Sequence, residues 1–172
     1  MQIQEITPNE IEGIVDDLSQ TLIETVHTGG AIGFMSPVPV DIAHDFWMNT
    51  VRQEIERGQR KLFVALIDGR AVGSVQLLFC SQANQPHRCE VAKMMVRPNA
   101  RQRGVGKALM QVLTATAIEQ KKSLITLDTK IGDVAETLYR AFGFESAGII
   151  PNYAYDPDGN ARHSTLYMYK LL

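Results

Sequence analysis

The stretch that most narrows what this chain can fold into is Arg101-Gln102-Arg103-Gly104-Val105-Gly106-Lys107. It follows an apolar β-type run, Met94-Met95-Val96, and Pro98, and it opens a long series of helix formers. A strand that turns through two glycines into a helix is a β-α connection, which commits the chain to a sheet with a helix laid across it. A helix N-terminus also offers unpaired amides and the positive end of the helix dipole, so the corner attracts anions. Gly104 and Gly106 remove side chains from the approach, and Arg101, Arg103 and Lys107 add positive charge. This chemistry suits a pyrophosphate, although neither the Gly-x-Gly-x-x-Gly nor the Gly-Lys-Ser/Thr spacing is present. A basic turn on a solvated surface also fits the heptamer taken alone.

Periodicity on either side fills in the elements. Residues 1–6 are expected as a strand. Thr7-Pro8-Asn9-Glu10 has the residues of a capping box with proline at the first helical position. Ile11, Ile14, Val15, Leu18, Leu22 and Val26 follow at helical spacing, giving a helix over 8–26. Glycines at 29, 30 and 33 break it, and Asp41 is expected to cap a second helix that ends at Gly58. The period then shortens to two. Lys61–Ile67 and Ala71–Cys80 flank Asp68-Gly69, a two-residue hairpin signal. Strands are expected at Glu90–Val96, Leu124–Asp128, Phe144–Ile150 and Leu166–Leu171, and helices at 105–121 and Val134–Phe142. The order β-α-α-β-β-β-α-β-α-β-β makes an α+β fold, a mixed, mostly antiparallel sheet of about seven strands flanked by about four helices. At 172 residues the chain reads as a single domain spanning 1–172.

Composition excludes several classes of function. The formal charge is -2, so no global field draws the chain to nucleic acid or membrane. No apolar run reaches the roughly 18 residues of a membrane helix. The N-terminal MQIQEITPNEIEG has no basic region followed by an apolar stretch, so no signal peptide is expected and the cytoplasm is the expected compartment. Cys80 and Cys89 belong to no Cys-x-x-Cys pair and have no histidine at zinc spacing, so neither a disulfide nor a metal is expected.

Glu90-Val91-Ala92-Lys93-Met94-Met95-Val96-Arg97-Pro98, followed by Arg101-x-x-Gly104-x-Gly106, resembles the acetyl-coenzyme A signature of the GNAT-type N-acetyltransferase superfamily. Ala135-Glu136-Thr137-Leu138-Tyr139 and Phe142-Gly143-Phe144 resemble its second signature. Within the superfamily, Glu24-Thr25-Val26-His27, Gly33-Phe34-Met35, Leu127-Asp128-Thr129 and Pro151-Asn152-Tyr153 are similar to the tabtoxin resistance acetyltransferases, which acetylate a β-lactam amino-acid toxin. The resemblance implies the GNAT fold and acetyl-CoA as co-substrate. It implies that the backbone of Met94, Met95 and Val96 pairs with the pantetheine arm, and that Gln102, Arg103, Gly104, Val105, Gly106 and Lys107 hold the pyrophosphate. The family often has asparagine where this chain has Gly132, so no side-chain contact is assigned at that end of the coenzyme.

Acetyl transfer to an amine must remove a proton. An amine of pKa about 10.4 lies roughly 3 units above neutral pH, a cost of about 4 kcal/mol that a nearby base offsets in part. Glu90, opening the coenzyme strand, is the first candidate base and matches the family's catalytic glutamate. Strict alternation puts it with Ala92 and Met94, opposite Lys93 and Met95. Asp128 is the second candidate. Either carboxylate can instead be an acceptor ligand or a structural partner of a cation. A strand amide near Met95 serves the developing oxyanion. Tyr139 matches the family's tyrosine beside the sulfur. Full proton transfer from a phenol of pKa about 10 to a thiolate of conjugate pKa about 8.5 is uphill by roughly 2 kcal/mol, so a hydrogen bond is the expected role. Cys89 adjoins Glu90 but alternates to the other face, so direct transfer is preferred to an acetyl-cysteine.

The resemblance implies that the first two helices and the loop between them cover the acceptor side. His27, Thr28, Gly29, Gly30, Phe34 and Met35 are candidates there, and a turn before the last strand adds Asn152, Tyr153 and Tyr155. His27, Phe34 and Tyr153 are the residues expected to contact the acceptor; a loop-capping histidine, a core phenylalanine and a surface tyrosine are the structural alternatives. The expected acceptor is a small, amino-acid-like amine, with toxin or antibiotic resistance as the implied role. A protein N-terminus or lysine, or a non-catalytic acetyl-CoA sensor, stays open. The chain is a monomer or a homodimer on this reading.

Overall fold

The computed structural model describes residues 1–172. β1 (Gln2–Ile6), α1 (Ile11–His27), α2 (Val40–Asp45) and α3 (Arg52–Glu56) precede β2 (Arg60–Ile67), β3 (Arg70–Phe79) and β4 (Arg88–Val96). Then come α4 (Val105–Glu119), β5 (Leu124–Lys130), α5 (Val134–Ala141), β6 (Glu145–Tyr155) and β7 (Arg162–Leu171). The strands form one sheet in the order β1-β2-β3-β4-β5-β7-β6. Only β4 and β5 run parallel; every other neighbouring pair is antiparallel. This is the mixed, mostly antiparallel α+β architecture read from the sequence. No helix is long and apolar enough to cross a membrane.

Local chemistry explains most boundaries. The Thr7 amide donates to the Glu10 carboxylate at 2.8 Å, closing the capping box above a short 3-10 turn that leads into α1. Asp68 and Gly69 have φ of 50° and 76°, the positive pair that a tight hairpin between β2 and β3 requires.

Two expectations change. The second helix is continuous but holds a π-helical segment, Phe46–Val51, between α2 and α3, and it begins at Val40 with Pro39 before it, not with Asp41 as cap. The wider turn shifts the side-chain phase, and Trp47 and Val51 reach full burial there. β6 runs on to Tyr155, so Asn152, Tyr153 and Tyr155 lie on a strand and not on a turn. The strand expected over Phe144–Ile150 therefore continues through Pro151. β6 is the sheet's edge strand, where a missing amide costs little, and the ladder accommodates the segment with a register shift between Ile150 and Ala154.

The sheet is packed on both faces. Val105, Leu109, Met110 and Leu113 of α4 cover one, against Val75, Leu77, Cys89, Val91, Ile125 and Leu127. Leu18 and Leu22 of α1, with Trp47 and Val51, cover the other, against Leu62, Val64 and Met95. α4 therefore lies mainly over β3, with β2 and β4 on either side, which fixes its N-terminus beside the end of β4.

Two irregularities open the sheet at its centre. The β4–β5 ladder pairs Arg88, Cys89 and Glu90 with Leu124, Ile125 and Thr126 and goes no further. Beyond Glu90 the strands part. On its other side β4 carries one extra residue: Ser74 pairs with Met95, but Gln76 pairs with Ala92. Lys93 takes up the excess at φ 50°. Strict alternation past this point is therefore wrong. Met95 turns into the α1 core and Met94 packs against the α4 core, with Lys93 reaching under the α1–α2 loop. Lys93 and Met95 share the face of Glu90, and Met94 takes the opposite one.

Candidate active site

The glycine corner lies between β4 and α4. Gln102 and Gly104 hold φ of 59° and 79°, and Gly104 caps α4 in the left-handed conformation without a side-chain cap. From Gln102 through Lys107 no backbone amide finds an acceptor in the chain; the first helical bond is from Ala108 to Gly104, at 3.0 Å. A run of free donors at a dipole's positive end is a cradle for phosphate oxygens. Gln102, Arg103 and Lys107 are exposed around it, and Val105 anchors it in the core. A Cβ on Gly106 would stand 3.2 Å from Leu138, so the helix packs closely on α5 there. Arg101 is occupied elsewhere. Its guanidinium donates to the Val96 carbonyl at 3.1 Å and to the Thr28 hydroxyl at 3.0 Å, tying the corner to the end of α1.

The parted seam runs from this corner to Glu90. Met94, Met95 and Val96 form the β4 side of it, past the last rung shared with β5. An extended ligand arm entering the seam would meet strand backbone.

At the seam's inner end the carboxylates gather. Glu90 and Thr126 are ladder partners, and Asp128 lies two residues on along the same face of β5. Glu90 Oε2 stands 3.7 Å from Arg88 Nη1. Burial is the main influence on Glu90 and pushes its pKa up; Asp128 adds to this, while Arg88 and Lys93 oppose it. Asp128 is exposed and accepts a hydrogen bond from the Thr165 hydroxyl at 3.1 Å. Across the β5–β7 ladder Asp128 faces Tyr167, a residue that the sequence reading does not single out. Tyr167 and Tyr153 share a 2.9 Å hydroxyl contact with their rings edge to face at 6.0 Å, and Tyr167 is pushed up to about 12, first by that hydrogen bond. Alternation of Thr165, Tyr167 and Tyr169 opposite Leu166 and Met168 was the available signal for it.

Tyr139 sits on the other face, in the α4 core and 6% exposed, with Phe144 5.9 Å from its ring. Burial, then Asp133 and Asp128, raise its pKa well above the usual phenol range, so it stays a neutral donor. α5 presents it from a short helix capped by Asp133, whose carboxylate accepts from the Ala135 amide at 3.0 Å.

The acceptor side is roofed. Lys93 Nζ donates to the Ile32 carbonyl at 2.5 Å and lies 5.7 Å from the Phe34 ring, which stacks edge-on against Phe46 at 5.3 Å. Four residues on, the Ser36 amide donates to the Pro157 carbonyl at 2.7 Å. The loop thus spans from β4 to the β6–β7 turn, over the face that carries Glu90 and Asp128. That turn is held in place by Asp156, which takes Lys130 at 2.5 Å and His163 at 3.0 Å; its carboxyl is held below the usual range, chiefly by the Lys130 hydrogen bond. His27 is exposed at the end of α1, next to the Thr28–Arg101 link and so on the corner's side of the molecule. Tyr153 is 46% exposed at the rim.

Cys89 is buried among core residues on the face away from Glu90, and burial pushes its thiol up to about 11. A nucleophilic thiolate at neutral pH does not form there.

Residues 32–144 match the family model for the acetyltransferase (GNAT) family. The chain is 27% identical over 120 residues to an uncharacterized N-acetyltransferase in the hisH-hisA intergenic region of Azospirillum brasilense, covering 69% of each. Among solved structures, a ribosomal-protein-alanine N-acetyltransferase from Brucella melitensis superposes with a TM-score of 0.80 at 24% identity over 100% of both chains. The structure of yncA from Salmonella typhimurium with its cofactor acetyl-CoA superposes at 0.77 and 16% identity, over 100% of this chain and 94% of that one.

Proposed function

The chain belongs to the acetyltransferase (GNAT) family, and from that premise we propose that it transfers acetyl from acetyl-CoA to the amine of a small, amino-acid-like molecule by direct attack. The observation that carries this reading is the run of unpartnered amides from Gln102 to Lys107, set at one end of a seam whose other end is Glu90.

Acetyl-CoA supplies the acetyl group as an activated thioester. Gln102, Arg103, Gly104, Val105, Gly106 and Lys107 would hold its pyrophosphate, and the Met94–Val96 backbone would hold its arm. Glu90 removes the proton that the amine loses. Its raised pKa makes it a stronger base than an ordinary carboxylate, and Arg88 keeps it from rising further. Asp128, exposed on the same face, orients the incoming ammonium or shares the base's work. A strand amide in the 94–96 stretch donates to the oxygen on which negative charge develops. Tyr139 donates a hydrogen bond at the sulfur and keeps its proton, in keeping with its raised pKa.

The bridge from Ser36 to Pro157 supports a small acceptor over a peptide, because an extended chain needs an open groove where that loop crosses. An acceptor of the β-lactam amino-acid toxin kind fits this reading. Phe34 and Tyr153 are the side chains assigned to contact with it; His27, on the corner's side, is not. Two free cysteines suit the cytoplasm.

Glu90→Gln tests the assignment. Turnover is expected to fall at least roughly tenfold, with acetyl-CoA affinity measured by calorimetry unchanged. Full turnover in the variant removes Glu90 as the base, and a protein that binds the coenzyme without turnover in either form is a sensor.

A further inference from the structure

Granted that this site acetylates a small amine, we propose that Lys93, backed by Gln76, recognises a carboxylate on the acceptor, so that the substrate carries both an amine and an acid group, as a free amino acid does.

Lys93 is placed at a backbone cost. Its φ of 50° is unusual for a residue with a side chain, and the bulge it forms is what turns it onto the face of Glu90. Loss of that extra residue would aim the ammonium at the other face. Strain held at one position of a site is a reason to ask what it positions.

The ammonium so placed has no carboxylate at ion-pair distance. Arg60 pairs with Glu54, Arg97 with Glu24 and Arg88 with Glu90, but Lys93 has only the Ile32 carbonyl at 2.5 Å. An ammonium has three donors, so two remain. Burial and the positive charge of Arg60 push its pKa down, while Asp128 and Glu90, too far for an ion pair, oppose the shift. Gln76 supplies the second observation. It is fully buried, it pairs in register with Ala92 beside Lys93, and its carboxamide nitrogen has no hydrogen-bond partner while its oxygen takes Arg60. A buried donor left without a partner costs about 1–3 kcal/mol, so a hydrogen-bond donor stands unanswered beside the Lys93 bulge.

The charges are also ordered. Lys93 and Arg60 stand on the β2–β4 side; Glu90 and Asp128 stand toward β5, close enough to act electrostatically on Lys93. A zwitterion lying across this face puts its carboxylate at Lys93 and its ammonium at Glu90 and Asp128. The Ile32–Ser36 segment of loop covers it, with the Phe34 ring beside the ammonium of Lys93.

Matched pairs test this: amino acids, each set against the amine that lacks its carboxylate, in thiol release from acetyl-CoA and in equilibrium binding to the coenzyme A-loaded protein. Wild type is expected to favour the acid-bearing member about tenfold or more in kcat/KM, and Lys93→Met and Lys93→Gln to bring the pair within about threefold, through KM and not kcat. Coenzyme affinity of both variants serves as the check on folding. Equal use of both members by wild type, or a preference that survives in both variants, overturns the carboxylate site and leaves the transfer reading intact. Lys93-dependent binding of amino acids without thiol release overturns the transfer reading and leaves the carboxylate site standing. Neither binding nor release with any pair overturns both.

Discussion

Glu90 joins stability to function in one side chain. Burial disfavours its carboxylate, so its folded pKa lies above its unfolded value. The stability it contributes is therefore full below the unfolded pKa and is lost as pH rises through the folded one. Near neutral pH the ionised group is a liability that a base requires. Glu90→Gln is expected to raise Tm at about pH 7 and to leave it nearly unchanged below about pH 4, where the glutamate is protonated in both states. Calorimetry at the two pH values checks this, and an equal shift at both contradicts it. The acid limb of kcat/KM should lie above the ordinary carboxylate range for the same reason. Tyr139→Phe removes a hydrogen bond and not a proton donor. The expected loss in kcat is roughly tenfold, about 1.4 kcal/mol. A loss of about a thousandfold would mean that the phenol gives up its proton.

At the scale of elements, the glycine corner and the β4 bulge do most of the positioning. Gly104 holds φ 79° with open space where a Cβ would go, so Gly104→Ala is expected to cost about 1–2 kcal/mol in backbone strain and to weaken coenzyme binding. Gly73 differs: a Cβ there meets the Met95 carbonyl at 2.9 Å and Val105 at 3.0 Å. Gly73→Ala must push β4 away from β3 just beyond the bulge. Chemical denaturation should show a loss of about 1–3 kcal/mol, with turnover reduced beyond what the unfolded fraction explains; wild-type stability would mean that the seam is softer than the packing indicates. The sequence displayed the corner, because glycine and charge are local signals. It displayed the hairpin for the same reason. The bulge was hidden, since nothing in Glu90–Val96 marks one residue as extra; the excess appears only when β3 is laid beside β4. The face assignments of Met94, Met95 and Lys93 failed there, and with them the role of Lys93. β6 runs past the expected Ile150 because a proline is tolerated on an edge strand, and that edge position is not visible in the sequence.

Across the whole molecule, chain-distant parts meet at one face: the α1–α2 loop, the β4–β5 seam and the β6–β7 turn. The seven strands and their succession along the chain were legible from period and motif; the insertion of β7 between β5 and β6 was not. The roof was not, because the Ser36–Pro157 and Lys93–Ile32 bonds join segments with no sequence pattern in common. With a net charge of only -2, any attraction for an anionic coenzyme is local to the corner. Coenzyme affinity should therefore fall as ionic strength rises from about 0.05 to 0.5 M, and Arg103→Ala with Lys107→Ala should flatten that dependence. The central claim is acetyl transfer to a small amine. Thiol release from acetyl-CoA by the purified protein, read against small amines, amino acids, β-lactam amino acids and a mixed peptide pool, tests it most directly. Release that saturates with one or a few small amino-acid-like amines is the predicted result. Release with peptides alone, or with no acceptor at all, contradicts it.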